Sequence, residues 1–202
     1  MLRKKPLAEQ GENRRRMRLF IGFRLSAPAI ESVERLRSLY RPCFKRSVAW
    51  VPAENLHLTC AFLGEVSSGA GRLADIKKSM DAAAGEFRKI EAAFGGLGGF
   101  PSLEHPRVLW LGVTEGADKL KELALRLAGG LKSAGFVSES GSLPHLTLGR
   151  VKFPPDGEAL AAASDKAREP GVRDTFGCME LLESRLSDAG ADHRTLYSSR
   201  LL

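Results

Sequence analysis

The tripeptide His-Leu-Thr occurs twice, as His57-Leu58-Thr59 and as His145-Leu146-Thr147, each time in an apolar run followed closely by a glycine, Gly64 or Gly149. Both runs read as strands. Strand side chains alternate between faces, so in each copy His and Thr share one face and the central Leu takes the other. A fold for this chain must therefore carry two polar pairs on strands that are otherwise buried. The chain has only four histidines in 202 residues, and two of them stand in this setting. The same alternation predicts that Cys60 and Phe62 lie on the leucine face, away from His57.

The surrounding chain alternates strands with helices. Met17–Leu25 predicts an opening strand. Ser26 is placed to cap a helix with Pro28 in its first turn. Ile30, Val33, Leu36 and Leu39 give that helix an apolar stripe, and Pro42 is expected to end it. A short extended piece, Val48–Pro52, precedes the first His-Leu-Thr strand, which is expected to stop at Gly64. A second helix is predicted over 70–87, with Leu73, Ile76, Met80 and Ala84 on one stripe. A third, over 117–134, carries Leu120, Leu123, Leu127 and Leu131 and stops before Gly135.

Residues 89–94 look extended. Gly95-Gly96-Leu97-Gly98-Gly99-Phe100-Pro101 reads as a loop, turn or bulge between strands. It lacks a Gly-Lys-Ser/Thr ending, which excludes a phosphate-binding P-loop. Arg107–Val113 is almost wholly apolar and predicts a central strand buried on both faces. Pro154-Pro155 opens a fourth helix over 156–168, Thr175–Leu186 predicts one long strand, and Arg194–Leu201 a last one. Each half of the chain contains a strand, a helix and a His-Leu-Thr strand. This predicts one domain of two similar lobes over residues 17–202.

The formal net charge is +7. Residues 1–16 hold six of the basic residues against Glu9 and Glu12, which predicts a disordered basic leader able to attract polyanions. The remaining body is mildly positive and compatible with nucleic acid. No apolar run approaches the roughly 20 residues needed to span a bilayer, and nothing resembles a secretory signal. Cys43, Cys60 and Cys178 are widely spaced with no Cys-x-x-Cys, which predicts thiols in a reducing, cytoplasmic compartment. A monomer is the default expectation.

If both His-Leu-Thr faces line one cleft, two imidazoles and two hydroxyls converge. Imidazoles with ordinary pKa values of about 6.5 can hold opposite protonation states near neutral pH. One then takes a proton from a nucleophile while the other gives one to a leaving group. Thr59 and Thr147 can donate to the oxygens of an anion between them, a constellation suited to in-line displacement at phosphorus without a metal. Zinc catalysis needs a third protein ligand, and no His-Glu-x-x-His occurs, so neither metal nor cofactor is expected. No Gly-x-Ser-x-Gly elbow supports a serine hydrolase. His105 and His193 are expected at the surface without a catalytic role. Strict alternation turns Arg150 away from His145, whereas a bulge at Gly149 would bring it to the anion.

The two motifs, with Met17–Gly22, Phe62-Leu63-Gly64, Arg107–Val113, Pro144–Arg150, Leu181–Leu186 and Tyr197, resemble the 2H phosphoesterase superfamily. They are most similar to its RNA 2′,3′-cyclic phosphodiesterases, also called 2′-5′ RNA ligases. The resemblance implies an α+β, bilobal fold of two pseudo-symmetric lobes, with antiparallel sheets flanking a central cleft and helices outside. It implies RNA with 2′,3′-cyclic phosphate ends as substrate and a 2′-phosphomonoester as product. It makes His57 the acid and His145 the base, or the reverse, with Thr59, Thr147 and Arg150 on the phosphate. Cys60 stands where the family often has leucine, and the basic leader is additional. The alternatives are a ligase using a 5′ hydroxyl in place of water, or a non-catalytic RNA-end binder.

Overall fold

The alternating runs become nine strands in a computed structural model that describes residues 15–138, 143–155, 157–166, 171–187 and 190–202. The elements run β1 Arg16–Arg24, α1 Ala27–Phe44, β2 Val48–Trp50, β3 His57–Ser67, α2 Ala70–Ala84, β4 Ile90–Phe100 and β5 Val108–Glu115. They continue α3 Ala117–Ser133, β6 His145–Val151, α4 Gly157–Lys166, β7 Val172–Phe176, β8 Cys178–Ser187 and β9 Gly190–Arg200. The predicted leader lies outside the described residues, except for Arg15 and for Arg16, which opens β1.

The strands form one sheet in the order β7-β4-β5-β6-β3-β1-β8-β9, with β2 added to β6. Every described pairing is antiparallel. The order is symmetric about the β6–β3 joint, and the units β1-α1-β3 and β5-α3-β6 correspond. These are the two lobes of the sequence, joined edge to edge. α1 packs with α4 and α2 with α3, and the core lies between these helix pairs and the sheet.

The long strand predicted over Thr175–Leu186 is broken at Gly177. β7 pairs with β4 in one half, and β8 pairs with β1 in the other. A single residue separates them, so the sheet curls into a half-barrel that brings its two halves together. Phe176 and Met179 are both buried, a spacing that an unbroken strand would not give. Phe176 stacks on Phe23 of β1 at 4.9 Å between ring centroids. The C-terminus ties the seam: Leu201 N donates to Gly177 O (3.0 Å) and Leu202 N to Phe87 O (2.8 Å).

Other expectations change in detail. The glycine-rich stretch is strand, not loop: β4 runs through it, with a register shift between Gly95 and Leu97 where Gly96 takes a φ of +69°. Gly98 is required because the Trp110 ring lies over it, 2.2 Å from where a Cβ would stand. β5 is buried on one face only: Leu109 and Leu111 enter the core, while Trp110 is half-buried on the other side. β3 continues past Gly64, which accommodates a φ of +63°. α1 runs beyond Pro42, which stands in its last turn, and buries a different stripe: Ala29, Val33, Arg37, Tyr40 and Phe44. Leu39 is 50% exposed. The rotation buries the Arg37 guanidinium, which donates to Leu148 O (2.8 Å) and to Glu34 (2.6 Å).

Candidate active site

The two motifs meet at the joint of the sheet. Leu58 and Leu146, the central residues of the two tripeptides, are cross-strand partners in the antiparallel β3–β6 pair, and both are buried. Extending that register sets His57 across from Thr147 and Thr59 across from His145. All four stand on the face opposite the leucines and are half-buried. Directly opposed residues of an antiparallel pair have Cβ atoms about 5 Å apart. The pseudo-symmetry of the fold therefore gathers two imidazoles and two hydroxyls into one cleft.

A bulge follows each threonine. In the β1–β3 pair, Gly22 faces Thr59 and Ile21 faces Ala61, leaving Cys60 as the extra residue. In the β5–β6 pair, Trp110 faces Thr147 and Leu109 faces Gly149, leaving Leu148 extra. A bulge reverses the alternation beyond it. Phe62 is consequently not on the leucine face: it is 50% exposed and faces Phe20 across 6.2 Å, on the same side as His57. Its counterpart after the second bulge is Arg150. Val151 packs on the core, and Arg150 is exposed on the face of His145 and Thr147. Gly149 permits this, since a Cβ there would meet Val48 Cγ1 at 2.6 Å and Ala49 O at 2.9 Å.

The two imidazoles are held by the same device. His57 Nδ1 lies 2.7 Å from Asn55 O, and His145 Nδ1 lies 2.8 Å from Leu143 O. A carbonyl only accepts, so each Nδ1 carries the proton and each neutral ring has its lone pair on Nε2. His57 packs on Phe20 with ring centroids 4.8 Å apart, and His145 on Phe100 at 5.0 Å, with Trp110 at 5.9 Å.

His193 is not a detached surface residue. It is half-buried, and its ring stands edge-on to His57 at 5.0 Å and to Phe20 at 4.9 Å. Its strand is clamped to the turn preceding β3: Arg24 donates to the carbonyls of Glu54 and His193, and Asn55 Nδ2 to Ala191 O. Sequence reasoning missed this residue because no motif marks it; β9 brings it to the site only through pairing with β8. His105 is exposed in the loop before β5.

Burial pushes the His57 pKa down to about 4, partly opposed by the hydrogen bond to Asn55. The positive fields of His193, Arg24 and His145 push it the same way as burial. His193 is also lowered, by burial and then by Arg24. Cys60 is a buried thiol raised to about 12, and it points into the core. Among the described residues no three His, Cys, Asp or Glu side chains are grouped to hold a metal ion.

Residues 24–110 match the family model described as LigT like Phosphoesterase. The RNA 2′,3′-cyclic phosphodiesterase of Archaeoglobus fulgidus is 33% identical over 178 residues, covering 86% of this chain and 91% of the relative. That of Thermotoga maritima is 34% identical over 149 residues, covering 73% and 76%. A solved structure from Thermus thermophilus superimposes with a TM-score of 0.73 at 26% identity, covering 92% of this chain and 98% of the other. Escherichia coli LigT complexed with 3′-AMP gives 0.63 at 26% identity with the same coverage. Two motifs meeting at the joint of a curled, two-fold repeated sheet, together with these likenesses, place the chain in the family of LigT-like phosphoesterases.

Proposed function

We propose that the protein hydrolyses RNA 2′,3′-cyclic phosphate ends to 2′-phosphomonoesters, using His57 and His145 as an acid–base pair without a metal. The pairing of Leu58 with Leu146, which brings both His-Leu-Thr faces to one cleft, carries this reading. The names of the relatives support the substrate.

In the reaction a water oxygen attacks phosphorus while the bond to O3′ breaks, and O2′ keeps the phosphate. One imidazole removes the water proton through Nε2, and the other, protonated, delivers one to O3′. The depressed pKa of His57 favours it as base and leaves His145 as acid, the reverse of the first assignment drawn from the resemblance. Thr59 and Thr147 donate to the non-bridging oxygens, and the Arg150 guanidinium adds positive charge where the phosphorane becomes most anionic. Phe20 packs against the His57 ring, and Phe100 and Trp110 against the His145 ring, which orients both imidazoles. The form this reading takes is a cytoplasmic monomer, consistent with the buried Cys60 thiol. Among the described residues no helix is long and apolar enough to cross a membrane.

The test is incubation with an oligoribonucleotide bearing a 2′,3′-cyclic phosphate in the presence of EDTA. A 2′-phosphate end should accumulate. A 3′-phosphate product, or dependence on added metal, would refute the mechanism. A joined product would indicate the ligase, and tight binding without turnover the binder.

A further inference from the structure

The two halves of the sheet are alike in backbone and unlike in charge. At the far end of β6, five exposed cations gather: Lys45, Arg46, Arg107, Arg150 and Lys152. Pairing brings them together from three strand ends. Arg150 is the partner of Ala49 on one side and of Val108 on the other. Lys152 N donates to Ser47 O (2.7 Å), next to Lys45 and Arg46, and Val151 N to Arg107 O (2.9 Å).

No ion pair joins any of the five to another described residue. Elsewhere Arg15, Arg16, Arg24, Arg126, Arg173 and Arg185 all pair with carboxylates. Glu104, in the loop before Arg107, is engaged by the Ser102 hydroxyl. The equivalent end of β3, with the start of β1 beside it, carries Glu65 and the exposed Arg15, Arg16 and Arg18, of which Arg15 is paired with Glu183 at 2.8 Å and Arg16 with Glu65 at 3.3 Å. A ridge of unpaired cations thus leads away from the cleft on the β6 half, beginning at Arg150, whereas at the matching end of the other half Arg18 alone stands without a carboxylate partner among the described residues. Residues 150 and 152 are about 6.6 Å apart along an extended chain, so their cations form a track rather than a single anion seat.

We propose that this ridge binds the phosphodiester backbone of a single-stranded RNA whose cyclic end occupies the cleft. The inference rests on the function proposed above and extends it. A 2′,3′-cyclic phosphate closes the 3′ end of a strand, so the rest of the RNA runs 5′-ward from the cleft. The asymmetry of charge sends it over the β6 end. The protein then prefers oligomeric RNA to cyclic mononucleotides, through contacts remote from the reacting phosphorus.

Lys152→Glu and Arg46→Glu, singly and together, lie outside the acid–base and threonine set, on exposed positions that leave the core intact. The double variant should lower kcat/KM for a cyclic-ended oligoribonucleotide about tenfold and make it less steep in salt, with turnover of a 2′,3′-cyclic mononucleotide within twofold of the unaltered protein. Equal effects on both substrates, or no effect on the oligonucleotide, would overturn the ridge. Binding of a 3′-phosphorylated oligoribonucleotide needs no turnover and separates this inference from the activity. Affinity about tenfold weaker in the double variant supports the ridge even if the protein hydrolyses neither substrate, and unchanged affinity refutes it.

Discussion

At the residue scale, chemistry is set by what each imidazole is tied to. Both rings donate Nδ1–H to the carbonyl two residues upstream, so Nε2 is the atom each would use in the proposed reaction. Burial, and then the neighbouring positive groups, hold His57 neutral down to about pH 4. With His57 as base, the acidic limb of the kcat/KM profile should therefore fall near 4 rather than near the ordinary value of about 6.5. Replacing His193 with Phe removes one of the fields that lower His57, and the limb should move to higher pH. A limb that stays in place would show that His193 does not tune this ring.

The same shift has a stability consequence. The folded-state pKa of His57 lies below its unfolded value, so between the two the unfolded chain binds more protons. Stability should be fully present above about pH 6.5 and decline as pH falls towards 4, and His57→Gln should lack that part of the decline in urea titrations. The meeting of His57, Thr59, His145 and Thr147 on one face was legible because the tripeptide repeats. The direction of Phe62 was not, because its bulge is made by the partner strand and leaves no mark in local alternation; for Arg150 the adjacent Gly149 left a bulge open as one of two readings, and the pairing with β5 decides it.

At the scale of elements, the two bulges shape the cleft between the two His-Leu-Thr strands. Each falls immediately after a threonine and redirects the side chain three residues beyond it. The first depends on close approach of β1, where a Cβ on Gly22 would stand 2.4 Å from Leu58 O. Gly22→Ala should destabilise the fold by about 1–3 kcal/mol and lower activity together, measured by denaturant unfolding and initial rates. The second bulge is supported from behind: Leu148 O accepts from Val51 N at 2.9 Å and from the buried Arg37 at 2.8 Å.

Arg37→Met should raise KM several-fold through misplacement of Arg150, an effect that should vanish when Arg150 is already Ala. Additive losses would mean that Arg37 acts elsewhere. Helix positions were read well where the buried face is apolar, as in α3 with Leu120, Leu123, Leu127 and Leu131. The face of α1 was misread because its pattern gives no credit to a buried arginine that satisfies a bulge carbonyl and lies 5.7 Å from the Trp50 ring.

At the scale of the whole molecule, one curled sheet serves as both scaffold and cleft. The repeat of strand, helix and His-Leu-Thr strand was visible in the chain. The edge-to-edge joining of the halves was not, since Gly177 separates two strands bound for opposite halves and nothing local announces that. The terminal residues close this seam, with Leu201 buried and Leu202 bonded to the segment entering β4. Removal of Leu201 and Leu202 should cost about 2–5 kcal/mol of stability, seen as a lowered Tm.

In the proposed function the fold makes its two motifs one catalytic unit. This is tested most directly by single-turnover rates on a cyclic-ended RNA for His57→Ala, His145→Ala and the double variant, each checked for folding. Each single variant should lose roughly 100-fold or more, with the double no slower than the slower single. Near-normal rates in either single variant, or losses that multiply in the double, would contradict this.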